Sequence, residues 1–279
     1  MYRARVIRLI SWNVNRRPLW QAVSLEGSVD IALLQEAPRP TTSDVPGVVV
    51  PDPHGEWTTQ GWPSELRTCV VQLSDRVDLV AHPMRKAHEE GDALGVSRRG
   101  SLAVADVKRG DEFLFRVASV YAAWESPTAA HRYIYADASA HRLLSDLAPL
   151  ITGRPRVDDP LIVAGDLNLL YGYGEYGNAY WKRRYATVFE RAAAMGLVFV
   201  GPQSPHGRQA DPWPKELPSE SGNVPTFHHS QQKPETATRQ LDFVFATSSI
   251  ADRVTATALN EPERWGESDH CPVLINVDM

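Results

Sequence analysis

The chain has 279 residues, of which 43% are hydrophobic and 23% charged, and a formal net charge of −5. That composition supports a sizeable core and excludes wholesale disorder. The acidic balance excludes a protein that grips nucleic acid by general basicity, because neutralising phosphates takes clustered Lys and Arg; it does not exclude a nuclease, since a metal ion can supply positive charge where the chemistry happens.

The amino-terminal "MYRARVIRLISWNVN" carries basic residues but only short apolar runs, too short for a signal segment or a membrane span. From there a series of short, β-branched apolar segments reads as strands: "RVIRLISW", "VDIALLQE", "TCVVQLS", "SLAVADV", "FLFRVASVY", "PLIVAGDL", "LDFVFAT" and "CPVLINV". Two helices stand between them. Ser126-Pro127 reads as an N-cap with proline at the first helical position, opening a helix to about Ile151. A second helix runs from about Asn178 to Met195 and stops at Gly196, with Trp181, Tyr185, Val188, Phe189, Ala192 and Met195 on one apolar face. Prolines gather in residues 38–53 and 202–234, which are expected to be long ordered loops.

No Gly/Ser or charged linker divides the chain, so one domain over residues 1–279 is expected. Some strand pairs are too close in sequence for a helical crossover, which predicts mixed or antiparallel sheets packed face to face with helices outside. The two cysteines, Cys69 and Cys271, sit in apolar contexts far apart. A secreted chain of this size more often carries a disulfide framework, so a reduced, cytoplasmic setting is expected.

The position of the polar residues is the informative feature. Four segments end in them: Asn13, Glu36, Tyr121, and Asp166 with Asn168. Two others begin with them, Asp242 before "FVFAT" and Asp269-His270 before "CPVLINV". If the second set of strands runs opposite to the first, all these groups meet on one rim. Taken singly, an Asp or Asn at a strand end is most often a turn former, and a lone His is most often structural. Glu36 is harder to dismiss, because it closes a buried run and needs a partner. Asp242 is available to hold one nitrogen of His270. Carboxylates crowded into one cleft raise each other's pKa unless a cation sits among them, and oxygen ligands without a Cys/His cluster favour Mg²⁺ or Mn²⁺ over zinc. His54, His228 and His229 do not have zinc-motif spacing and read as loop residues. The chemistry that fits is metal-assisted attack of water on a phosphate ester.

With "SWNVN", "LLQE", "SVY", "GDLN", "LDFVF" and "SDHCPV" occurring in that order, the chain resembles the endonuclease/exonuclease/phosphatase superfamily, which includes the deoxyribonuclease and abasic-site endonuclease branches. The resemblance implies a four-layer α/β sandwich, two central mixed β-sheets flanked by helices. It implies Glu36 as the principal metal ligand, with Asn13 and Asp269 helping to hold the ion or its waters. It pairs Asp242 with His270, gives Asp166 the attacking water, and places Asn168 and Tyr121 on the scissile phosphate. The implied activity is Mg²⁺- or Mn²⁺-dependent hydrolysis of phosphodiesters, with nucleic acid, DNA first, as substrate. Two departures weaken an abasic-site repair role: Ala37-Pro38 replaces the Thr-Lys that usually follows "LQE", and Gln240 stands where an Arg is common, with Arg239 one position further away.

Substrate choice is expected in the rim loops. They are residues 38–62, 121–125, 170–184 and 202–239. In the third, Tyr171, Tyr173 and Tyr176 either stack on bases or pack, while Lys182, Arg183 and Arg184 either meet phosphates or form a solvated helix face. Trp181 and Tyr185 are read as helix core. Two other readings remain open: a phosphatase or phosphodiesterase for a small phosphorylated molecule or lipid headgroup, and a silent binding module on the same fold.

Overall fold

The computed structural model of the chain describes residues 6–18, 29–39, 47–49, 57–61, 64–125, 135–152 and 159–279. The eight strands read from the sequence all form: β1 (Val6–Asn13), β2 (Ile31–Pro38), β4 (Leu66–Gln72), β8 (Leu102–Arg109), β9 (Glu112–Tyr121), β10 (Leu161–Asp166), β12 (Asp242–Thr247) and β14 (Val273–Asp278). Six shorter strands complete the set among the described residues: β3 (Gly47–Val49), β5 (Asp78–Ala81), β6 (Met84–Lys86), β7 (Leu94–Val96), β11 (Leu197–Gly201) and β13 (Val254–Ala258). They assemble into a sheet ordered β13-β14-β1-β2-β4-β3, a second ordered β11-β12-β10-β9-β8-β5, and a small β6-β7 pair.

Strand alternation builds the layers. In β1, Ile7 and Leu9 face inward while Ile10 and Trp12 face outward. The inner faces of both sheets meet in a core that includes Leu9, Ile31, Phe115, Val117, Ile162, Val244 and Ile275. Helix α1 (Ala136–Thr152) and helix α2 (Ala179–Ala194) cover the outer face of the second sheet. The outer face of the first is covered by Val14, Val29 and Trp57 among the described residues. The result is the expected α/β sandwich of two mixed sheets.

Helix α2 starts where the sequence placed it. Asn178 caps it by accepting the Tyr180 amide on its side chain at 2.8 Å, and Gly196 follows its end at φ +94°. The start expected for the other helix at Ser126-Pro127 lies outside the described residues; α1 begins at Ala136. Cys69 and Cys271 are buried free thiols in separate clusters. No helix among the described residues is long and apolar enough to cross a membrane.

Candidate active site

Four pairings bring the polar residues to one rim. β10 runs parallel to β9, setting Asp166 beside Tyr121, and antiparallel to β12, setting Asp166 beside Asp242. β1 runs parallel to β2 and antiparallel to β14, so the ends that carry Asn13, Glu36 and His270 share the edge of the first sheet. Asp166 has the inward parity of Ile162 and Ala164, Tyr121 that of Val117, and Asp242 that of Val244. These polar groups therefore continue the inner faces at the point where the apolar core stops.

Glu36 reaches the rim by a bulge. The pairing of β2 with β4 slips between Leu34 and Ala37, and Glu36 takes φ +47°. Simple alternation would turn Glu36 outward with Leu34; the extra residue aims it into the cleft and returns Ala37 to the outer cluster. Gly165 serves a similar purpose one strand pair away. It has φ +152°, and a Cβ there would stand 2.0 Å from the Val120 carbonyl oxygen. Only glycine lets β10 approach β9 closely enough to set Asp166 beside Tyr121.

The side chains interlock. Asn13 Nδ2 donates to Asp166 Oδ2 at 2.9 Å and to Glu36 Oε1 at 3.4 Å, while its Oδ1 accepts the Asn15 amide at 3.0 Å. Tyr121 donates its hydroxyl to Glu36 Oε1 at 2.7 Å. Asp166 also accepts the Asn168 amide at 2.7 Å and Asn168 Nδ2 at 3.1 Å. His270 Nδ1 lies 2.8 Å from Asp242 Oδ2, and its Nε2 lies 3.8 Å from Asp166 Oδ2.

Burial sets the charges. It pushes the Asp166 carboxyl up to about 7, with His270 opposing and Asp242 adding to the rise. Burial alone would lower the His270 pKa, but Asp242 and Asp166 outweigh it and raise the ring to about 10. Tyr121 is held well above the usual phenol value by burial and then by the charges of Glu36 and Asp166, so it stays a donor. Asp269 is raised by burial, with His270 lowering it and Glu36 adding repulsion.

All of these groups except Asn13 and Asp242 line one cleft of roughly 960 Å³, together with Asn15, Arg16, Trp124, Tyr176, Phe227, Gln231, Gln232 and Arg239. The donor set suits a hard divalent cation. Glu36 and Asp269 present carboxylate oxygens to the cleft and repel one another, a situation that a cation relieves. Deeper in, ligand atoms of Asp166, Asp242 and His270 lie within 4.8 Å of one another and could also hold a metal ion. One atom there, Asp242 Oδ1, is buried with no hydrogen-bond partner among the described residues.

Several supporting residues escaped the sequence reading. Ser268 donates its hydroxyl to the Asn13 carbonyl at 2.7 Å and accepts the His270 amide at 3.1 Å, tying the end of β1 to the start of β14 within the first sheet. Thr226 Oγ1 accepts the amides of Leu241 and Asp242, both at 3.0 Å. The main chain of Phe227 bridges both Arg239 and His270. Ser268 stood within "SDHCPV", so motif position was a signal for it; Thr226 lies in a loop without periodicity and had none. Arg239 pairs with Glu175 through both terminal nitrogens, at 3.4 and 3.0 Å, on the cleft wall. Gln240 is buried and donates to the Pro202 carbonyl at 2.8 Å.

The loop after β10 resolves its two readings residue by residue. Tyr171 packs on Phe189, Phe199 and Phe243, and Tyr173 is buried; both are packing residues. Tyr176 is 92% exposed in the cleft. Trp181 stacks on Tyr185 as helix core. Of the basic trio, Arg184 pairs with Asp137 and lies over Tyr135, whereas Lys182 and Arg183 are solvated.

No family model matches the chain, and no curated protein does either. Solved structures do match, along nearly the whole chain. The endonuclease domain of a telomere-specific non-LTR retrotransposon aligns with a TM-score of 0.60 at 16% identity, covering 98% of this chain and 99% of that one. An AP endonuclease from Archaeoglobus fulgidus gives 0.58 at 16% identity, over 98% and 100%. A mannosyl-6-phosphatase from Bacteroides thetaiotaomicron gives 0.56 at 14% identity, over 97% and 99%. Identities this low speak for the fold alone. The chain thus has the fold of the endonuclease/exonuclease/phosphatase superfamily, and the residues through which its sequence resembles that superfamily stand on one rim of it.

Proposed function

We propose that the protein is a divalent-metal-dependent hydrolase of phosphate esters, a phosphodiesterase acting on nucleic acid, DNA in the first place, through one catalytic domain over residues 1–279. The observation that carries this reading is Asp166, held by three N–H donors on the cleft floor with the His270–Asp242 pair 3.8 Å away. Glu36 and Asp269 would hold the ion as carboxylate ligands, with Asn13 fixing Glu36 beside it. Bound there, Mg²⁺ or Mn²⁺ would neutralise phosphoryl charge and polarise the ester.

The remaining chemistry belongs to the chain. Asp166, poised near neutral pH, orients the attacking water and takes its proton at a carboxylate oxygen. His270, kept cationic by Asp242, faces the developing charge on the phosphoryl oxygens through Nε2–H. Tyr121 donates to Glu36 and holds it in place, while Asn168 orients Asp166 and stands at the cleft for the phosphate.

A panel of plasmid, single-stranded DNA, RNA, an abasic duplex, inositol phosphates and sphingomyelin with Mg²⁺ or Mn²⁺ tests the proposal, comparing wild type with Asp166→Asn. Hydrolysis of nucleic acid by wild type and its loss in Asp166→Asn without unfolding are expected; full activity in the variant would sink the assignment. The net charge of −5 favours the second reading, a small phosphorylated substrate. Turnover of a small ester with every nucleic acid left intact would establish that reading instead. A binding module without activity would show itself by taking up neither ion in calorimetry.

A further inference from the structure

Tyr176 combines features that packing does not explain. Its backbone is left-handed at φ +53° and ψ +32°, a conformation unfavourable for a bulky residue. Its ring is 92% exposed, yet it lines the same cleft as Asp166 and His270. Among the described residues the ring stacks on nothing and the hydroxyl has no hydrogen bond.

The turn that presents it is braced on every side. The Gly177 amide donates to the Gly174 carbonyl at 3.0 Å, and the Asn178 amide to the Glu175 carbonyl at 2.9 Å. A Cβ at Gly174 would stand 2.2 Å from the Asn178 carbonyl oxygen, so the turn admits only glycine there. Glu175 is clamped to Arg239. An aromatic residue is thus held out in the proposed phosphate-ester cleft, with the ordering cost of its backbone met in the folded state before any ligand arrives.

Its surroundings extend the pattern. The exposed large apolar side chains among the described residues are Val80, Trp124, Tyr176, Tyr180 and Val198. Trp124, 53% exposed, lines the cleft with Tyr176, and Tyr180 lies one helical turn further along the chain. Arg16 and Arg239 line the same cleft, and Lys182 and Arg183 stand exposed on the first turns of α2. Exposed aromatic faces among cations are the chemistry that receives unpaired nucleobases. A base inside a duplex has both faces taken by its neighbours and cannot lie on a ring.

We propose that Tyr176 stacks on an unpaired nucleobase next to the scissile phosphate, so that the cleft prefers single-stranded over duplex nucleic acid. The inference rests on the nuclease reading of the site and names its substrate class.

The test measures Mg²⁺-dependent cleavage of a short single strand, its duplex, and strands in which each base in turn is replaced by an abasic spacer, by wild type, Tyr176→Ala and Tyr176→Phe. Wild type should favour the single strand. Tyr176→Ala should lower kcat/KM on it about tenfold, chiefly through KM, and Tyr176→Phe should restore it. A spacer at one position should make wild type and Tyr176→Ala equal. In the Asp166→Asn background, a 2-aminopurine base at that position should lose fluorescence on binding, and the loss should vanish when Tyr176→Ala is added. A wild type that cleaves nucleic acid while Tyr176→Ala matches it on every strand overturns this inference alone. A wild type that prefers duplex also overturns it. A wild type that cleaves small esters and no nucleic acid overturns the nuclease reading together with it.

Discussion

Asp166 and His270 are opposite answers to the same burial. Both are almost wholly enclosed, which penalises charge on each. Two carboxylates around one imidazole keep His270 cationic up to about 10, whereas Asp166 faces one cation and one like charge and rises to about 7. The water-activating form of Asp166 is the ionised one and the useful form of His270 the protonated one. kcat/KM should therefore rise as pH increases through about 7 and fall as it increases toward 10. Asp242→Asn removes the charge that holds the His270 proton while preserving size. It should lower kcat at least about 100-fold and move the alkaline limb to lower pH. A profile in Asp242→Asn superimposable on wild type would remove His270 from the chemistry.

At the level of elements, legibility tracked burial. Strands of the central sheets, such as β10 and β12, are buried at every position and announce themselves as continuous apolar runs. β5 and β13 sit at sheet edges, each with one neighbour and only partial burial, and their sequences "DLVA" and "VTATA" carry no comparable signal. The site followed the same division. Glu36, Asp166 and Asp242 were visible because each breaks an apolar strand. The Glu175–Arg239 pair joins residues 64 positions apart and appears only once the chain is folded. The cap of α2 was readable and has a measurable consequence: Asn178 holds the first turn of the helix that brings Tyr185 to the cleft wall. Asn178→Ala should cost about 1 kcal/mol and lower the melting temperature by about 2 °C. An unchanged melting curve would mean that packing on the second sheet, not the cap, fixes the helix start.

For the whole molecule, charge and shape make a prediction about substrate engagement. The chain is net negative at −5, and beside the catalytic His270 the arginines lining the cleft among the described residues are Arg16 and Arg239, each within reach of a carboxylate, Glu36 and Glu175. A protein that binds nucleic acid through many phosphates releases one counterion per contact, and its affinity collapses with added salt. Here about two contacts are available, and aromatic faces supply contact area that salt does not screen. The slope of log(kcat/KM) against log[salt] on single-stranded substrate at fixed Mg²⁺ should therefore be shallow, about −1 to −2. Arg239→Gln should flatten it by roughly 0.7, the share of one single-strand phosphate, whereas Tyr176→Ala should shift the line downward without changing its slope. A wild-type slope steeper than about −4 would require a phosphate-binding surface beyond the cleft and would make the acidic character of the chain incidental to its choice of substrate.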